Sequence, residues 1–151
     1  MAECGKAGAD SQSWYAALRE NGYRLTDARK AVVDVVANSA CVLRPAEVFD
    51  FARHVYPHLG LVTVYRTLEK LEELGLIQRV HRDEDCQAFV PTRTGHHHLL
   101  LCKLCGNYVY FEGTDLEILF SKVEEETGFV TQEHWMQLFG VCPQCQVQGR
   151  E

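Results

Sequence analysis

Cys102-Lys103-Leu104-Cys105 and Cys142-Pro143-Gln144-Cys145 constrain this chain more than any other feature. Each C-x-x-C pair can place two thiolates on one tight turn. Brought together, the four sulfurs form a closed tetrahedral shell, the usual structural zinc site. Residues 106–141 separate the pairs, too long a stretch for a minimal zinc ribbon, so the metal is expected to clamp a small domain. A redox dithiol or two disulfides are the competing readings, and paired spacing of this kind favours metal. Three consecutive histidines, His96-His97-His98, stand just before the first pair and suggest a second site beside it.

The remaining bulk properties describe an ordinary globular chain. Of 151 residues, 46% are hydrophobic and 24% charged, enough apolar material for one sizeable domain or two small ones. The opening Met-Ala-Glu-Cys-Gly-Lys lacks an apolar signal region and no window approaches a membrane span, so a cytoplasmic, membrane-free protein is expected. In that setting seven cysteines read as ligands or free thiols rather than a disulfide framework. The net charge is −6. Residues up to Val90 hold 11 Lys+Arg against 13 Asp+Glu, and the rest hold 4 against 8. Any DNA binding must therefore come from placed arginines, because no general basic field exists.

Residues 1–10 are small and polar and are expected to be disordered. Ser11–Asn21 reads as a helix with Trp14, Ala17 and Leu18 on one face. Thr26 is an apt N-cap for a second helix to Asn38, with Val32, Val35 and Val36 inward. Pro45 fits the first position of a third helix, in which Val48, Phe51, Ala52 and Val55 recur at helical spacing until Pro57. A fourth helix spans about Val62–Leu74, with Val64, Leu68 and Leu71 inward and Gly75 ending it. Leu76–Arg82 and Cys86–Pro91 are two extended runs around Asp83-Glu84-Asp85. Short helices followed by a hairpin make a winged helix-turn-helix pattern over residues 11–91. Residues 92–95 read as a hinge linker. Residues 96–151 read as a small second domain: strands His96–Leu101 and Asn107–Phe111, a helix from Thr114 to about Thr127 with Leu116, Leu119, Phe120 and Val123 inward, and an extended Phe129–Val141. The fold class is α+β.

In the fourth helix, Thr63, Tyr65 and Arg66 lie off the apolar stripe near the N-terminus, where helix-turn-helix proteins meet base edges. Arginine can bond guanine bidentately, and a tyrosine ring or threonine methyl can pack on a thymine methyl. A packed tyrosine and a solvated arginine on an ordinary helix is the bland alternative, which the following wing disfavours.

At this point the chain resembles the ferric uptake regulator family of metal-dependent bacterial repressors. The matching pieces are Arg24-Leu25-Thr26-x-x-Arg29, Gly60-Leu61-Val62-Thr63-Val64-Tyr65-Arg66-Thr67-Leu68, Gly75-Leu76-Ile77, His96-His97-His98, Cys102-x-x-Cys105-Gly106 and Cys142-x-x-Cys145, in family order. The resemblance implies a homodimer on double-stranded, AT-rich inverted repeats. From their places at helix starts in the winged-helix pattern, Tyr65 and Arg66 are expected to read DNA and Arg24 and Arg29 to place its backbone. The resemblance also implies a regulatory metal near the hinge that closes the dimer onto DNA.

The family's hinge ligands are largely missing. By alignment they fall on Leu43, Val90, Leu99 and Tyr110, leaving His97, and a thiol-containing variant would need a cysteine near Thr92. The family's other histidine-rich site matches His96, His98, Glu117 and His134. In an extended strand His96 and His98 share a face and His97 opposes them. Glu117 would sit in the first helical turn and His134 on the last strand. Three imidazoles and a carboxylate suit Zn²⁺, Fe²⁺ or Ni²⁺. Each residue also has a plainer role, Glu117 in a Thr114-x-x-Glu117 capping box and His134 as a core histidine. Cys4, Cys41 and Cys86 are left over, and Cys41 and Cys86 read as plain thiols. A rebuilt sensor from Cys86 or Cys41 with His97 or His81, or a redox switch, is the functional alternative.

The sequence thus points to a homodimeric, metal-dependent winged-helix repressor carrying structural Zn²⁺ and a second, regulatory Zn²⁺ or Fe²⁺. Control of zinc uptake, as in the zinc uptake regulator branch, is placed ahead of iron or peroxide control. A zinc-ribbon adaptor without DNA binding and a peroxide- or redox-sensing relative are the rivals. No nucleophile–base constellation or small-molecule substrate site stands out, so an enzyme is not expected.

Overall fold

The computed structural model describes residues 8–83, 86–113 and 115–149, with the side chains of Asp83 and Cys86 outside that description. Expectations for residues 1–7, for Glu84-Asp85 and for the Thr114 cap also fall outside it. The order is α1 (Ser11–Glu20), α2 (Asp27–Ala37), α3 (Pro45–Val55), α4 (Leu61–Glu73), β1 (Ile77–Asp83), β2 (Cys86–Pro91), β3 (His98–Cys102), β4 (Tyr108–Phe111), α5 (Leu116–Thr127), β5 (Gln137–Gly140) and α6 (Pro143–Gln148). This is an α+β chain, helical first and sheet-bearing second.

Local chemistry sets the helix starts. Asp10 accepts from the Gln12 amide at 3.1 Å and Thr26 from the Arg29 amide at 3.2 Å, each satisfying a donor the first turn leaves open. Pro45 occupies the first turn of α3, where its missing N–H costs nothing. Leu18, Val32, Val36, Val48, Val64, Leu68 and Leu71 then close one core with Ile77 and Phe89 of the wing. Phe51 and Val55, expected inward, face solvent instead. The buried stripe of α3 is Val48 and Ala52, with Phe49 packed partly buried against the same core.

The β1–β2 hairpin is antiparallel, running from Ile77 opposite Pro91 to His81 opposite Gln87. The second sheet has the order β4-β3-β5, with β3 antiparallel to β4 and parallel to β5. Its seam with the wing is a second core of Val42, Val80, Ala88, Val90, Leu99 and Leu101, flanked by Tyr108 and Tyr110. The opposite face presents Leu100, Val109 and Leu138 to solvent. No residue of α5 is buried, although Leu119 and Val123 were expected inward. The extended strand expected over Phe129–Val141 shrinks to Gln137–Gly140, and α6 follows Cys142 unannounced.

Candidate metal centres and nucleic-acid interface

Cys102 ends β3, Cys105 closes the turn after it, and Cys142 and Cys145 flank the start of α6. All four sulfurs lie within 4.8 Å of one another, with Cys105 Sγ and Cys142 Sγ 3.6 Å apart. A tetrahedral zinc with Zn–S bonds of about 2.3 Å holds its sulfurs about 3.8 Å apart, so the set fits that ion. All four are free thiols, which removes the disulfide reading. Burial raises the Cys102 thiol, but the amides of Cys142, Cys105 and Leu104 outweigh it and hold the group at about 6. Burial and the neighbouring sulfurs push Cys145 up to about 12. Four sulfurs this close repel as thiolates, and a dication is the natural counter-charge.

The second cluster joins His96, His98 and His134, again within 4.8 Å. His98 opens β3 and is 3% exposed. Its ring stands 4.9 Å from His96 and 5.2 Å from His134, and His96 and His134 are 4.6 Å apart. Among the described residues, the Nε2 atoms of His98 and His134 are buried without a hydrogen-bond partner. Orphaned buried nitrogens are costly, and a divalent cation accepting their lone pairs removes that cost. Burial, then the fields of His96, His134 and His97, lower the His98 pKa and keep it neutral, the form that binds metal.

Several routes to this cluster differ from the sequence reading. His96 precedes β3 rather than lying in it, and His134 sits in coil before β5, not on a strand. Glu117 lies in the first turn of α5, as expected, and lines the same open cavity of about 540 Å³ as His96 and His134 without joining the tight cluster. Asp115 holds the N-cap position of α5, with no side-chain cap bond among the described residues. Glu112, Gly113 and Phe120 also line the cavity and were missed, Phe120 stacking 4.4 Å from His134.

Gly113 has a readable physical role. Its φ is +33°, and a Cβ there would fall 2.8 Å from His98 Cδ2 and 2.7 Å from Leu116 Cδ1. Gly113→Ala should therefore displace the His98 ring and weaken metal binding at this cluster by roughly tenfold or more, as loss of ligand orientation does. Competition titration with a metal indicator checks this, and wild-type affinity would refute the role.

His97 turns away, its Nε2 2.8 Å from the Thr94 carbonyl and its ring 6.3 Å from Tyr110. His81 stands beside Trp135, 5.9 Å between centroids. Cys41, read as a plain thiol, is instead disulfide-bonded. The structure therefore does not bring His97, His81 and Cys41 together, and among the described residues the two clusters above are the only metal-capable groups of three or more. Cys4 and the Cys86 side chain lie outside the description. At the depleted hinge positions, Val90 and Leu99 are buried in the seam, Leu43 joins the first core, and Tyr110 Oη donates to the Pro91 carbonyl at 2.5 Å.

On α4, Tyr65 and Arg66 are exposed and Thr63 half-buried, while Val64, Thr67 and Leu68 face the core. Tyr65 looks across a hollow of about 410 Å³ at Arg79 and Gln87 of the wing. Arg24 is exposed, and Arg29 donates to its carbonyl from the start of α2. Of the five expected contact residues, Thr63, Tyr65 and Arg66 come from α4, Arg29 from the first turn of α2 and Arg24 from the loop before it.

No helix is long and apolar enough to cross a membrane among the described residues. The chain is 29% identical over 136 residues to the ferric uptake regulation protein of Neisseria meningitidis, covering 89% of this chain and 94% of that one. To the Bordetella parapertussis protein of the same name it is 33% identical over 132 residues, covering 85% and 94%. The peroxide operon regulator of Bacillus subtilis is 27% identical over 128 residues, covering 85% and 88%. Among solved structures, a zinc-bound manganese uptake regulator superposes with a TM-score of 0.68 at 26% identity, covering 85% of this chain and 97% of that one. The Helicobacter pylori ferric uptake regulator shares the fold with a TM-score of 0.68 at 23% identity, over 91% and 95%. Residues 20–139 match the ferric uptake regulator family, and the chain belongs to that family of metal-responsive transcriptional regulators.

Proposed function

We propose that this protein is a cytoplasmic, homodimeric repressor that binds AT-rich inverted repeats when its trihistidine cluster is loaded, and that it controls zinc uptake genes ahead of iron or peroxide genes. The observation that carries the reading is the pair of buried, unpartnered Nε2 atoms on His98 and His134, converging with His96. A nitrogen-rich set with Glu117 at its rim suits Zn²⁺ or Fe²⁺. Cys102, Cys105, Cys142 and Cys145 would hold a structural Zn²⁺ that ties the end of β3 to α6. The domains would divide into the winged-helix unit of residues 11–91, the linker 92–95 and the metal-binding unit from 96. Dimerisation is supported by α5, whose Ile118, Leu119 and Val123 are exposed, and by the bare Leu100–Val109–Leu138 sheet face. A second copy covering these groups would return about 25 cal/mol per Å² of apolar surface removed from water.

Thr63, Tyr65 and Arg66 would read bases and Arg24 and Arg29 would hold phosphates. Gel shifts on AT-rich inverted repeats test this, with shifts expected only on adding Zn²⁺ or Fe²⁺. Arg66→Ala should cost about 1–3 kcal/mol and relax specificity, whereas Arg24→Ala should weaken all sequences alike and lower the salt slope by about one. Undiminished binding by both Tyr65→Ala and Arg66→Ala would refute the interface.

A further inference from the structure

Residues 41–43, between α2 and α3, serve two neighbours at once. Leu43 exchanges both backbone hydrogen bonds with Phe89 of the wing, at 3.2 and 2.9 Å. One residue earlier, the Val42 amide donates to the Gly106 carbonyl at 2.9 Å, and Cys41 bridges Asn107. Gly106 is the residue after Cys105, so the segment joins the wing on one side to the sulfur-bearing turn on the other.

Arg82 of β1 fills the angle between them. Its Nη1 lies 2.8 Å from both Glu47 carboxylate oxygens and 3.4 Å from the Val42 carbonyl. Its guanidinium is 3.3 Å from where a Cβ on Gly106 would sit. Any side chain at 106 would press on it, and the φ of +76° at Gly106 already favours glycine. Glu47 in turn accepts the Arg44 amide at 2.8 Å and so fixes the first turn of α3, which packs against α4. Burial disfavours charge on Glu47, yet Arg44 and Arg82 hold its carboxyl below the usual range. Beneath these contacts lies the seam of Val42, Val80, Ala88 and Val90 against Leu99 and Leu101. At its far end Gln137 bonds the His81 backbone twice, at 3.2 and 2.6 Å.

We propose that the Cys102–Cys105 turn anchors the recognition helix of its own chain, with Arg82 as the positioning residue that couples it to Glu47 and α3. The four-sulfur site then has a role beyond holding the C-terminal part together. An ordered turn presents the Gly106 carbonyl to Val42 and a flat floor to Arg82. A disordered one releases both, and α3 with α4 loses its fixed bearing on the sheet. This rests on the reading of the four sulfurs as a zinc site and of α4 as the DNA-reading helix.

Amide hydrogen exchange on the full chain tests it without DNA. In the zinc-loaded protein the Val42 amide should be protected. After chelation it should exchange at least roughly tenfold faster, while the Val32 and Leu68 amides of the first core keep their protection. Zinc-loaded Arg82→Ala should show the same selective acceleration at Val42 with wild-type zinc content, and operator affinity lower by roughly tenfold, within the usual range of coupling. Arg82→Lys, a point charge without the planar fork, should fall between. If Arg82→Ala does not accumulate, Arg82→Lys carries that arm. An unchanged Val42 amide in either arm overturns the proposal. A responsive Val42 amide in a protein that binds no operator would leave the anchorage standing and remove the DNA reading.

Discussion

Replacing Cys102 with serine is expected to empty the four-sulfur site and dissolve the dimer in the same step. Cys102 ends β3, and its sulfur accepts the Cys142 amide at 3.3 Å, so it is the point where the two halves of the site meet. It is also the thiol held at about 6, whereas burial raises Cys105 and Cys145, so it ionises ahead of those two. Zinc binding at closed sites of this kind is worth on the order of 10 kcal/mol at neutral pH. Whole domains are stable by only about 5–15 kcal/mol, so the loss weighs heavily on the C-terminal part that the site holds together, while the first core contains none of the four cysteines. Elemental analysis and sedimentation check both consequences together, and a Cys102→Ser protein with wild-type zinc and an intact dimer contradicts them. Acidity works in the same direction. A depressed thiol pKa contributes stability that is complete above the ordinary value of 9.0 and is lost as pH falls through about 6. In metal-free protein, the unfolding midpoint should therefore drop across that window.

His98→Ala should have the second-largest effect, the loss of metal at the trihistidine cluster with the four-sulfur zinc retained. His98 is the buried member of the three, its Nε2 has no hydrogen-bond partner among the described residues, and the ring is walled in by Phe111 at 5.4 Å. Removing it leaves two imidazoles and a cavity-rim carboxylate. Supporting residues alone are worth 10- to 100-fold in metal affinity, so loss of a ligand should cost on the order of 100-fold or more. Calorimetric titration of zinc-loaded protein with a second equivalent of metal measures it. Two bound equivalents per chain in His98→Ala, with wild-type affinity, would place the second metal elsewhere.

Most elements were legible because their signals are local. The caps at Thr26 and Pro45, the glycine after α4 and the two extended runs of the wing act over a few residues. What could not be read came from distance. The apolar stripe of α5 promised burial, but among the described residues nothing buries Leu119 or Val123. The parallel pairing of β5 with β3 joins residues far apart in sequence, and only Gln137–Gly140 reaches that partner. His134 alternates with apolar neighbours as a strand residue would, yet it is placed by Phe120 and the other histidines rather than by a sheet. His97 does point away from His96 and His98, but through its bond to Thr94 and not through strand alternation. Gly113 carried a usable hint, a glycine between a strand and a helix, which gains meaning only once the His98 ring is seen against it. The seam that replaces the family's hinge ligands at Val90 and Leu99 was visible as a loss of ligands, not as a core.

Operator binding across a metal titration, run in parallel on wild type, His98→Ala and His97→Ala, tests the central claim most directly. The trihistidine cluster can shift the DNA-binding equilibrium only by its differential affinity for the bound and free forms, and couplings of about 1–3 kcal/mol are typical. Wild type should gain affinity with added metal, His97→Ala should gain nearly as much, and His98→Ala should lose most of the gain while keeping its four-sulfur zinc. A full metal response in His98→Ala, with loss in His97→Ala, would contradict the account and move the sensor to His97.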